Sequence, residues 1–193
     1  MPRYNNKHMR LLPRHYLLLI IGLPAMAQTP KKGLHFTSSI QQKITVYNGT
    51  IFVNGNKAHQ LDPEAINYGS KRNRLVENEG TVFLFLDIAP LQKLYVFRID
   101  HSNADSVLSA ASSDVKDLDH DGLLEFGGSD ATQAYPSADS AYYVPTHYYE
   151  IARGRITPDA ELTQKMDKKI NGVYLANPLN PNGQCCKVIP KKH

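Results

Sequence analysis

Apolar residues recur along much of this chain at the two-residue spacing of β-strands. Ile44 and Val46 alternate with Thr45 and Tyr47, and Thr50-Ile51-Phe52-Val53 follows directly after Asn48-Gly49. Asn-Gly suits a type I′ turn, whose central residues need positive φ, so the pattern predicts a hairpin beginning near Lys43. Asn54-Gly55-Asn56 offers a second turn. Alternation then gives way to density: Thr81-Val82-Phe83-Leu84-Phe85-Leu86-Asp87-Ile88, a break at Ala89-Pro90, and Lys93-Leu94-Tyr95-Val96-Phe97-Arg98-Ile99. Two β-rich runs with so few polar positions predict a second hairpin, central in its fold.

Weaker strand signals lie at 106–113, 123–126, 147–151 and 173–175. The period changes once. Leu162, Met166 and Ile170 fall four apart, Thr157 and Pro158 suit an N-cap and a first helical position, and Asn171-Gly172 suits a stop. This predicts one late helix near 158–170. Residues 62–80 read as polar and irregular, with Lys71-Arg72-Asn73-Arg74 as a solvated basic loop. No internal repeat is present. The expected class is α+β and β-dominated, with antiparallel sheets. Its expected organisation is a polar lead-in at 28–42, a globular domain at 43–178 and a loop-like tail at 179–193.

Charge changes the picture at one end. The 193 residues have a formal net charge of +4. Arg3, Lys7, Arg10 and Arg14 account for all of it, and residues 1–27 contain no acidic side chain. The rest is neutral overall and has no global field for nucleic acid. Those basic residues precede the apolar run Tyr16-Leu17-Leu18-Leu19-Ile20-Ile21-Gly22-Leu23, which is followed by Pro24 and Ala25-Met26-Ala27. A basic segment, a short apolar stretch and small residues at −3 and −1 form a secretory signal, with cleavage expected between Ala27 and Gln28. Export to the periplasm or the exterior follows as an expectation, with no membrane span in the mature chain.

The most informative segment is Asp117-Leu118-Asp119-His120-Asp121-Gly122-Leu123-Leu124-Glu125. Carboxylates occupy positions 1, 3, 5 and 9, and glycine occupies position 6. Hard cations take oxygen ligands, about six to eight for Ca²⁺. Alternating carboxylates on a curled loop can turn inward together, and glycine permits the sharp bend. Asp117, Asp119, Asp121 and Glu125 are the expected side-chain ligands, with Leu123 contributing its carbonyl. His120 is expected to face solvent. Without a cation, so many converging carboxylates repel one another. Ca²⁺ is favoured over Mg²⁺, which prefers to keep several waters.

The nine residues resemble the calcium loop of FG-GAP and VCBS-type repeats and, more distantly, dockerin, thrombospondin type 3 and EF-hand loops. Position 12 is Gly128, where an EF-hand has a bidentate Glu, so a strand-loop-strand form is the closer likeness. FG-GAP repeats build propellers from many such loops, and this chain has one. The resemblance implies a structural Ca²⁺ that stiffens the fold. The stretch 114–149 and the paired cysteines also resemble a group of exported bacterial proteins, a likeness that brings no activity with it.

Cys185 and Cys186 are the only cysteines. Three readings stay open for them: a bond to each other, two free thiols, or a bridge to another chain. Neighbouring Cα atoms are about 3.8 Å apart across a trans peptide, closer than the usual disulfide separation. The two-residue spacer of a redox motif is missing. No His-Glu-x-x-His, Gly-x-Ser-x-Gly, P-loop or dinucleotide fingerprint occurs. Tyr142-Tyr143 and Tyr148-Tyr149 read as strand residues, one of each pair inward, with an aromatic binding platform as the alternative. The expectation is a non-enzymatic exported module with one Ca²⁺ site and a protein or glycan partner. A secreted hydrolase acting on glycan or peptide is the second reading.

Overall fold

Turn chemistry sets the topology. The computed structural model describes residues 33–191, and the signal-like segment 1–27 lies outside them. Asn48-Gly49 and Asn54-Gly55 place both central residues at positive φ. They join β2 (Lys43–Tyr47), β3 (Thr50–Val53) and β4 (Asn56–Gln60), and β1 (Gly33–Thr37) pairs with β2 to complete a four-stranded antiparallel sheet. A second antiparallel sheet follows as a meander: β5 (Arg74–Asn78), β6 (Thr81–Ile88), β7 (Lys93–Asp100) and β8 (Asn103–Ala111). Next come β9 (Leu124–Gly128), β10 (Ser140–Tyr142), β11 (His147–Ala152) and β12 (Arg155–Pro158). The helix α1 (Ala160–Asn171) and β13 (Val188–Pro190) close the chain. β11 lies between β12 and β9 in a three-stranded sheet, and β10 pairs with β13. All these pairings are antiparallel.

The second sheet is the middle layer. Val82, Leu84, Leu86 and Ile88 of β6 pack with Phe97 and Ile99 against Ile44, Val46, Ile51 and Val53 of the first sheet. Phe83 and Phe85 point the other way and pack with Leu94 and Val96 against Phe126 and Ile151 of the third sheet. β6 is therefore apolar on both faces, which is why its sequence is dense rather than alternating. Full burial of each such side chain contributes about 1.5–3 kcal/mol.

β8 shows why the signal around 106–113 was weak. Leu108 pairs with Val96, and Ser106 with Phe97, leaving Val107 as an extra residue. This bulge reverses the alternation. Ala104 consequently faces the first sheet and Ala110 the third, although their spacing is even.

Several sequence expectations need correction. β1 lies inside the polar lead-in, where Leu34 and Phe36 are half-buried against the core. β5 lies in the stretch read as irregular; its only apolar residues are Leu75 and Val76, and pairing with β6 holds it extended. The basic run beside it is not merely solvated. Asn73 is buried, accepting from Asp87 N at 2.8 Å and donating to the Asn67 carbonyl at 2.7 Å. Arg72 is paired with Asp114 at 3.3 Å, and Arg74 donates to the Val115 carbonyl at 3.2 Å. No strand forms at 173–175. The tail is not all loop, because β13 pairs with β10, and the Lys187 carbonyl accepts from Tyr143 N at 2.8 Å.

The helix begins later than expected. Thr157 and Pro158 pair with Glu150 and Tyr149 in the β12–β11 ladder, which keeps both extended. The N-cap is Asp159, whose carboxylate accepts from Leu162 N at 2.8 Å. Gly172 ends the helix in a left-handed conformation. Leu162, Asp167 and Asn171 are buried, whereas Met166 and Ile170 are only half-buried.

Candidate metal centre

The acidic loop is tied off at its base. Lys116 and Glu125 exchange two backbone hydrogen bonds of 3.0 Å. Leu124 and Phe126 pack toward the central sheet. Alternation along β9 therefore sends Glu125 to the opposite, outer face of the third sheet. The carboxylates also shape the loop. Asp117 accepts from His120 N at 2.6 Å and from Gly122 N at 3.2 Å. Asp119 accepts from Asp121 N at 3.3 Å, and Asp121 from Leu123 N at 2.8 Å. His120 and Gly122 take positive φ at the bend, and the His120 side chain is exposed.

Sequence reasoning named Asp117, Asp119, Asp121 and Glu125 as side-chain ligands, and the fold brings these four together. Each offers a carboxylate oxygen, and these oxygens all lie within 4.8 Å of one another. Leu123 is half-buried immediately before β9. Glu125 is 1% exposed. Its Oε2 accepts from Leu118 N at 2.6 Å, while its buried Oε1 has no hydrogen-bond partner among the described residues. Burial pushes the Glu125 carboxyl above the usual carboxylate range; the charges of Asp119, Asp121 and Asp117 add to this, and the Leu118 N–H opposes it. Four acidic groups focused on one point, with a buried oxygen left over, can hold a metal ion. The donor set is entirely oxygen, which suits a hard cation.

Two features of the neighbourhood were missed. Gly127 lets β11 lie close to β9, since a Cβ there would stand 2.1 Å from the His147 carbonyl oxygen. Glu150 of β11 is the register partner of Glu125. Its carboxyl is also pushed up, first by burial and then by Asp121, Asp159 and Asp119, with Arg153 opposing. The signal available for Glu150 was its place between Tyr149 and Ile151, which both face the core.

The first tyrosine pair divides as expected, one inward and one exposed, whereas both members of the second are packed. Tyr143 and Tyr148 are buried, Tyr142 is exposed, and Tyr149 stacks on Phe126 at 5.6 Å. Tyr143, Tyr148 and Tyr174 line a cavity of about 310 Å³ beside α1. Cys185 and Cys186 are bonded to each other across a cis peptide, with Cys185 exposed. No helix among the described residues is long and apolar enough to cross a membrane. Compared with known protein families, characterised proteins and solved structures, the chain matches none.

Proposed function

We propose that the acidic loop is a structural Ca²⁺ site in an exported, single-domain module that works by binding or by association with the cell envelope. Glu125 carries the cation reading: its buried Oε1 has no hydrogen-bond partner among the described residues, and its carboxylate offers an oxygen within 4.8 Å of those of three aspartates. A buried polar atom without a partner is costly. A cation ligated at this point satisfies the oxygen and offsets the repulsion together. Oxygens on opposite sides of a Ca²⁺ stand about 4.6–5.2 Å apart, which accommodates the 4.8 Å spread of the four carboxylates. Export rests on the signal pattern of residues 1–27.

Such a site adds stability rather than switching a signal. Extracellular Ca²⁺ modules bind with Kd of about 10⁻⁴–10⁻³ M. At ten times Kd the folded state gains about 1.4 kcal/mol, or roughly 3–5 °C in Tm for a chain of this size. Calorimetry of the wild type in millimolar Ca²⁺ and in EDTA should show that rise. In Asp119→Ala the rise should vanish. Equal melting in both buffers for both proteins removes the cation reading.

A further inference from the structure

We propose that Glu150 is the fifth carboxylate of the centre, holding the bound Ca²⁺ through one of its water ligands and so tying β11 to the acidic loop. This rests on the cation reading above and extends it to a residue outside the loop motif.

Register places Glu150 first. It is the direct partner of Glu125 in the β9–β11 ladder. Residues directly opposite in an antiparallel pair share a face, with Cβ atoms about 4.5–5.5 Å apart. Tyr149 and Ile151 pack toward the central sheet, so Glu150 stands on the outer face with Glu125. Like charges directly opposite one another destabilise a ladder. Arg153 offsets part of the charge on Glu150, and a cation between the two side chains and the loop would offset the rest.

The cavity supplies the route. A space of about 230 Å³ between the loop and the start of α1 is lined by Asp119, Asp121, Glu150, Thr157, Asp159 and Glu161. A water occupies about 30 Å³ of liquid volume, so several fit. The cation has room for them, because one oxygen from each of the four carboxylates and the expected Leu123 carbonyl make five of the six to eight oxygens typical of Ca²⁺. Glu150 stands outside the group of four whose oxygens lie within 4.8 Å. It shares this cavity with Asp119 and Asp121, where a water on the cation can donate to it. Outer carboxylates of this kind orient the inner ligands and raise affinity.

The test is a set of Ca²⁺ titrations by calorimetry on the full chain, with melts in EDTA and in Ca²⁺. Glu150→Gln should weaken Ca²⁺ binding about tenfold, the scale of outer-ligand losses. Glu150→Asp, which keeps the charge, should recover part of that. Glu161→Gln, which removes a charge from the same cavity but off the ladder, should bind like wild type. In EDTA, Glu150→Gln should melt no lower than wild type, because a carboxylate crowded by Asp121, Asp159 and Asp119 has been removed. Three results overturn the proposal: Glu150→Gln binding as wild type does, Glu161→Gln weakening binding equally, or Glu150→Gln losing as much Tm in EDTA as in Ca²⁺. A wild type that binds no Ca²⁺ sinks the cation reading itself, and this inference with it.

Discussion

The two faces of the third sheet are held by opposite means. Its inner face meets the central sheet through Phe126, Ile151 and Phe85, with Phe85 and Phe126 edge to face at 5.0 Å. Its outer face carries Glu125 of the acidic loop, and α1 is tied through buried polar groups to the segment 143–146 that leads into β11. Asp167, 3% exposed, accepts from the Tyr143 hydroxyl at 2.6 Å, Thr146 N at 2.8 Å and the Thr146 hydroxyl at 2.7 Å. Asn171 accepts from Val144 N at 2.7 Å and donates to the Val144 carbonyl at 2.9 Å. The apolar side draws on area and tolerates approximate shape. The polar side depends on each partner being present in the right protonation state. One layer of sheet thus separates an apolar region from a polar one whose buried groups include titratable side chains.

The largest effects should separate the two faces. Phe85→Ala opens a cavity in the apolar interface and should cost about 3–5 kcal/mol. That loss should be the same in neutral and alkaline buffer and with or without Ca²⁺. Asp167→Asn keeps the volume but replaces an acceptor with a donor facing Tyr143, and should cost about 2–3 kcal/mol. Urea unfolding at neutral pH compares them. If Asp167→Asn costs under half a kcal/mol while Phe85→Ala behaves as stated, α1 is held by its apolar contacts and the contrast between the faces is wrong.

Alkaline pH should act on the outer face alone. Tyr143 is pushed up to about 12, first by burial and then by its hydrogen bond to Asp167. A folded state that holds this proton more tightly than the unfolded chain is favoured below pH 10, where both keep it. The advantage is lost as pH rises from about 10 to about 12, and amounts to roughly 2–3 kcal/mol. Tyr148 moves in the same direction, again chiefly through burial, so the loss is shared. Tyr143→Phe should start less stable by its hydrogen bond, about 1.5–3 kcal/mol, and then decline less over that range. Parallel stability profiles for the two proteins would show that Tyr143 does not titrate with unfolding.

Legibility in the sequence followed the same division. Where a strand is buried on one or both faces, hydrophobicity reveals it, and β2, β3, β6 and β7 were readable to within a residue or so. The loop Asp117 to Glu125 was readable because its carboxylates are local and spaced by the geometry of one curl. β5 and β12 were not readable, because each has few apolar residues and is held extended mainly by a neighbour's ladder. Glu150 was hidden for a related reason. Its relation to Glu125 exists only in strand register, and nothing in the spacing of the chain announces which residue lies opposite. The buried polar face of α1 was the hardest to foresee. Periodicity rewards Leu162, Met166 and Ile170, while the groups turned inward are Leu162, Asp167 and Asn171.

The smallest effect tests that boundary directly. By residue type alone, Thr157 and Asp159 are both acceptable helix caps. The ladder decides between them: Thr157 is paired with Glu150 in β12, and Asp159 is the first residue beyond it. The Asp159 N–H is given to the Tyr148 carbonyl at 2.9 Å, so the residue that starts the helix also fixes it to β11. Asp159→Ala removes the acceptor for Leu162 N and should cost about 1 kcal/mol. Thr157→Ala, on an exposed edge position, should stay within about half a kcal/mol of wild type. Thermal melts of the two variants in the same buffer separate these values. The reverse ranking would mean that α1 begins inside what is drawn as β12, and that the strand, not the helix, gives way where the two meet.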